Sequence, residues 1–153
     1  MPILPFKNCS TTVVCLLLPL CFAATQASAN ENYDLTFEGD GTFLIPHQGN
    51  SVHAAIVDIH ANEVVAKQSD TISGTGEPAF AFQFSEIFEE GKLYDLHYWI
   101  DSNFGDGNGS VGSCDPIDID HQWRIAFTNI SDNITEVAQL APEEQAPVCA
   151  TFE

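Results

Sequence analysis

Seven acidic or amide residues fall in one stretch between Asp101 and His121: Asp101, Asn103, Asp106, Asn108, Asp115, Asp118 and Asp120. Glycines at 105, 107, 109 and 112 are interleaved with them and let backbone carbonyls turn inward. Hard cations such as Ca²⁺ are held by about 6–8 oxygens of this kind. Without a cation, so many carboxylates in one loop repel each other. The spacing therefore predicts that Asp101, Asn103, Asp106 and Asn108 ligate one Ca²⁺-like ion. The register is not that of an EF-hand. From Asp101, Gly105 stands where an oxygen donor is needed and Asp106 where glycine is needed; from Asp106, Val111 replaces the glycine. A solvated acidic turn without an ion is the alternative reading.

Five histidines, His47, His53, His60, His97 and His121, form the second set of residues with chemical capacity. His47, His97 and His121 fall at strand ends or beside the acidic loop, where convergence would make a Cu²⁺ or Zn²⁺ site. The sole methionine is Met1, so thioether ligation is excluded. Surface histidines without a metal are the plainer alternative. Catalysis finds no motif: there is no G-x-S-x-G, H-E-x-x-H or P-loop. With 22 Asp and Glu in the chain, carboxylate pairs arise by chance and point to no hydrolase.

The balance of 4 Lys and Arg against 22 Asp and Glu gives a formal charge of −18. Phosphate backbones are bound by Lys and Arg, so nucleic acid is excluded as a partner, and anionic membrane surfaces are disfavoured. The same acidity would also keep a protein soluble in a saline habitat, independently of any site.

The elements that must position these residues read as strands. Tyr33–Phe37, Val52–Ile59, Phe80–Phe84, Leu93–Ile100 and Gln122–Phe127 alternate apolar with polar residues or are rich in β-branched ones. Glu63–Ala66 continues the pattern beyond a turn at Ala61-Asn62, and Thr42–Ile45 is a short apolar run closed by Pro46. Ile134–Leu140 and Val148–Phe152 are weaker strand candidates, while Ser85–Gly91 has the serine, acids and terminal glycine of one helical turn. These spacings predict an all-β, antiparallel β-sandwich, Ig-like or transthyretin-like, with about 7–8 strands.

The first 29 residues stand apart. Lys7 precedes an apolar run from Val13 to Ala24, followed by Ala27-Ser28-Ala29, the layout of a secretory signal peptide with an A-x-A cleavage site. The run is too short for a bilayer-spanning helix, which needs about 20 residues. The expected organisation is a signal peptide over 1–29 and one domain over 30–153. Cys114 and Cys149 are the cysteines beyond the signal, and in an oxidising compartment they read as one disulfide. Closing a loop of about 35 residues would stabilise by about 3–4 kcal/mol. Free thiols or a pair of metal ligands are the alternatives.

The stretch from Leu93 to Arg124 resembles small exported β-sandwich domains in which a Tyr-rich strand meets a D-x-N-x-N-G-like loop and then an Asp-His-x-Trp-Arg segment. Asp120-His121-Gln122-Trp123-Arg124 carries that last element, and Pro46-His47-x-Gly49 a second shared one. Gly105 and Cys114 depart from the pattern. The resemblance implies a fold and no particular activity. The expectation is a secreted or periplasmic, non-catalytic binding or structural module. Its partners would be a divalent cation and another extracellular protein, with a periplasmic Cu²⁺ or Zn²⁺ binder using the histidines as the alternative.

Overall fold

The computed structural model describes residues 31–74, 76–104, 109–141 and 144–153. The signal peptide expected over 1–29 lies outside them, as do Asp106 and Asn108. Seven strands build two layers: β1 (Asn32–Gly39), β2 (Ser51–Asp58), β3 (Glu63–Thr71), β4 (Phe80–Glu89), β5 (Tyr94–Ile100), β6 (His121–Phe127) and β7 (Ile134–Ala138). One sheet has the order β4-β1-β7 and the other β3-β2-β5-β6. The β1–β7 pair is parallel and every other pair is antiparallel. This is the expected sandwich. Its strand order is not the ABED/CFG order of immunoglobulin domains.

Alternation decides which residues meet between the layers. Phe80, Phe82 and Phe84 on β4 face inward, as do Leu35 and Phe37 on β1. From the other sheet come Leu96, Tyr98 and Ile100 of β5 and Trp123 of β6. Phe37 bridges the layers, its ring centroid 5.6 Å from Phe80 and 4.9 Å from Tyr98, and Tyr98 stacks on Trp123 at 4.9 Å. Each such side chain contributes about 1.5–3 kcal/mol by burial.

Three local expectations are corrected. Ser85–Gly91 is not a helical turn: β4 runs through to Glu89 with a bulge, in which Asp34 of β1 is opposed by Ser85, Glu86 and Ile87. Glu86 takes φ 50°, and its N–H donates to Asp34 Oδ1 at 2.7 Å. Sheet pairing overrode the local helix signal. Thr42–Ile45 is not a strand: Gly41–Phe43 is a 3-10 turn, and the turn that follows over Leu44–His47 is kinked at Ile45, whose backbone is extended at φ −128° and ψ 112°. Asp40 starts them by accepting the Thr42 N–H at 2.9 Å. Phe43 and His47 are thereby driven into one end of the sandwich. Val148–Phe152 is likewise a single 3-10 turn, Cys149–Thr151, rather than a strand.

Gly39 ends β1 opposite Phe80, whose ring lies across it. A methyl group there would come within 2.2 Å of Phe80 Cε1. The ring is locked among Phe37, Phe43 and Phe82. Gly39→Ala should therefore cost about 1–3 kcal/mol, the usual price of overpacking. Urea unfolding checks this; an unchanged midpoint would mean that the ring swings aside freely.

Candidate functional site

The two faces of the β3-β2-β5-β6 sheet carry different chemistry. Alternate residues of a strand point to opposite faces. Tyr98 and Ile100 point into the core, so Asp95, His97 and Trp99 point out. His121, paired with Ile100, lies on the core side, whereas His97, paired with Arg124, lies on the outer side. The expected convergence of His47, His97 and His121 therefore does not occur: the sheet separates His97 from the other two. His47 and His121 do meet, with His47 Nε2 2.8 Å from His121 Nδ1. Phe104 and Trp123 close around them, at 5.3 Å from His47 and 5.6 Å from His121 respectively. Among the described residues no three His, Cys, Asp or Glu side chains gather as a metal-holding group.

The acidic loop is organised by hydrogen bonds to its own carboxylates. Asp120 is 0% exposed. Its Oδ1 accepts the N–H groups of Ser102 (3.0 Å) and Asn103 (3.1 Å), and its Oδ2 that of Asp115 (2.9 Å). Burial nevertheless outweighs these bonds and raises the Asp120 pKa above the ordinary carboxylate value. Asp101, 7% exposed, accepts from Asn103 Nδ2 and from the Gly112 N–H at 2.7 Å. Gly112 sits at φ +82°, a conformation glycine adopts without strain. Phe104 N–H donates to Ile119 O at 2.9 Å and joins the two legs of the loop. Of the four expected Ca²⁺ ligands, Asp101 and Asn103 are thus brought into contact with each other, and the other two are outside the described residues.

Gln122, 1% exposed on the outer face, ties this loop to the C-terminal segment. Its Nε2 donates to Asp115 O at 2.6 Å, and its Oε1 accepts the Val148 N–H at 2.8 Å. Ala146 N–H donates to Gln122 O at 3.0 Å. The disulfide Cys114–Cys149 joins the same two segments covalently, as expected. The C-terminal residues then cross the outer face. Thr151 Oγ1 lies 2.6 Å from His97 Nδ1, and the Phe152 ring meets Trp99 edge-on at 6.1 Å.

What remains open beside this clasp is a cleft of about 550 Å³. His53 and Trp99 line it, their rings stacked at 4.3 Å and 8° from parallel. Lys67, Ser69, Ser113 and Glu153 also line it, with Lys67 Nζ 5.5 Å above the Phe152 ring. Trp99 is 2% exposed, and its indole Nε1 has no hydrogen-bond partner among the described residues; buried His53 Nε2 has none either. Burial lowers the pKa of His53 despite the opposing pull of Asp101 and Asp120, so the ring is neutral at pH 7. Sequence reasoning missed this site. Trp99 and His53 carry no motif, and only the β2–β5 register sets them opposite each other.

No protein-family model matches the sequence, and comparison with curated proteins finds no match. A solved structure of a fimbrial assembly protein from Parabacteroides distasonis ATCC 8503 is similar, at 10% identity and a TM-score of 0.38. The likeness covers 72% of this chain and 52% of that one, so the chain spans about half the length of that protein. A likeness this distant carries no function over.

The histidine pair sets a pH dependence. Burial, then the neighbouring His121, lowers the His47 pKa from 6.5 to about 4. Unfolded histidine takes up a proton near 6.5, and folded His47 only near 4. Its neutral state therefore adds full stability above 6.5, and this is lost as pH falls toward 4. Between pH 7.5 and 5 the loss is about 2 kcal/mol from His47 alone. Urea midpoints at the two pH values measure it. His47→Leu should reduce the difference, and an equal difference in wild type and variant would contradict the assignment.

Proposed function

We propose that this chain is an exported, non-catalytic binding module whose ligand site is the cleft beside the disulfide clasp. The observation that carries this reading is the cleft itself, about 550 Å³ and lined by His53, Lys67, Ser69, Trp99, Ser113 and Phe152. The volume falls in the range of small-molecule sites, about 300–1,000 Å³. Export is supported by the disulfide, which persists in oxidising compartments. The sequence offers no nucleophile–base motif, which favours binding over catalysis.

Thermal unfolding against a panel of small polar compounds tests the reading. A compound at 100 times its Kd stabilises by about 2.7 kcal/mol, a shift of several degrees. Ser113→Phe fills the cleft from its exposed rim and should abolish such shifts. No shift from any compound, or equal shifts in wild type and variant, would contradict the assignment.

A cation at the acidic loop is a second reading, favoured by one observation. Asn103 Oδ1 is buried without a donor among the described residues, close against Gly109. An amide oxygen of this kind is a natural ligand for Ca²⁺. Thermal unfolding in EDTA and in millimolar Ca²⁺ decides it. A rise of several degrees in wild type, absent in Asp101→Asn, supports the ion. An unmoved midpoint leaves a loop held by hydrogen bonds alone.

A further inference from the structure

Gln122 has both polar atoms of its side chain and both of its backbone in hydrogen bonds, and it is 1% exposed. The side chain reaches one residue from each cysteine. Nε2 donates to the carbonyl of Asp115, which follows Cys114, at 2.6 Å. Oε1 accepts the N–H of Val148, which precedes Cys149, at 2.8 Å. The backbone holds the approach to Cys149: the Gln122 N–H donates to Gln145 Oε1 at 3.3 Å, and its carbonyl accepts the Ala146 N–H at 3.0 Å.

The amide orientation is set by its partners, since a carbonyl only accepts and a backbone N–H only donates. Gln122 itself belongs to β6 and is paired with Trp99 of β5, so its starting point is the sheet and not either of the segments it joins. One side chain thus spans the same two segments as the disulfide, and it does so without using a sulfur atom. Cys149 Sγ lies 3.2 Å from the very Asp115 carbonyl oxygen that Gln122 holds.

Two fastenings of one closed arrangement are coupled. Cys114 and Cys149 are 35 residues apart in sequence, and bringing such distant groups together costs loop-closure entropy. Whatever has already brought the segments together raises the effective concentration of one thiol at the other. By reciprocity, if the Gln122 bonds favour the disulfide by some factor, the disulfide favours those bonds by the same factor.

We propose that Gln122 is the positioning residue for the Cys114–Cys149 bond: it closes the clasp around the reduced chain and holds the two thiols within bonding reach before they are oxidised. The clasp, and with it the wall of the cleft, therefore stays closed when the disulfide is reduced. This stands whether or not the cleft takes a ligand. Oxidised glutathione can serve as the oxidant by thiol–disulfide exchange. The Cys114–Cys149 bond forms, the S–S bond of glutathione breaks, and the two electrons and two protons of the protein thiols end on two molecules of reduced glutathione.

The test equilibrates the protein in glutathione redox buffers and measures the effective concentration of the thiol pair in wild type and in Gln122→Met, which keeps the length of the side chain and removes its hydrogen bonds. Gln122→Met should lower that concentration about tenfold. A residue that stabilised only the sheet would support the reduced and oxidised forms equally, so an unchanged effective concentration would overturn the proposal. Hydrogen exchange on wild type reduced with a phosphine needs no variant. The Ala146 and Val148 amides should stay protected after reduction. Loss of their protection on reduction, with that of β2 and β5 retained, would show that the disulfide alone closes the clasp and would overturn the proposal as well.

Discussion

A single buried carboxylate holds the end of this sandwich together. Asp120 is removed from water, which disfavours its charge, and three backbone N–H groups offset that cost. Those groups belong to Ser102, Asn103 and Asp115, on both legs of a long excursion between β5 and β6. Loops of this length are uncommon in a small domain. With both legs fixed, Cys114 is presented to Cys149 and Asp115 O to Gln122. The C-terminal segment is then drawn across the outer face of the sheet. The wall of the cleft is thus several steps removed from Asp120 but depends on it.

This arrangement gives one sheet two different environments. Its inner face is an aromatic core in which Tyr98 and Trp123 stack. Its outer face carries His53, Trp99, His97 and Gln122, each partly or wholly covered by the clasp. The four histidines that are not on the β2–β3 turn are all shifted toward the neutral form, with burial the largest cause in each. They fall into two groups, His47 with His121 inside one end and His53 with His97 outside. Neither group contains the three converging ligands that a transition-metal centre of the expected kind needs.

Alternation made the layers legible from the sequence. The Phe80, Phe82 and Phe84 series and the Tyr94-to-Ile100 strand each assign their own inner face, and the two cysteines assign their own bond. Elements whose local signal competes with pairing were not legible. Ser85–Gly91 has good helix-terminal chemistry, but Asp34 and the β1 partner convert it into a bulge. Val148–Phe152 is apolar enough for a strand, but the disulfide and Gln122 bend it into a turn. In the loop, composition revealed a surplus of oxygens without revealing their donors. Backbone N–H groups are invisible in a residue list, and they are what Asp101 and Asp120 bind. Gln122 and the Trp99–His53 stack escaped because their roles come from register alone.

The dependence of the loop on Asp120 is open to direct measurement by native-state hydrogen exchange. In wild type, the amides of Ser102, Asn103 and Asp115 should be protected. Asp120→Leu removes both acceptor oxygens at similar volume and can serve none of the three. The account predicts that these three amides lose protection together while those of β2 and β5 keep theirs. Retained protection at all three in the variant would show that the loop is held by something other than this carboxylate.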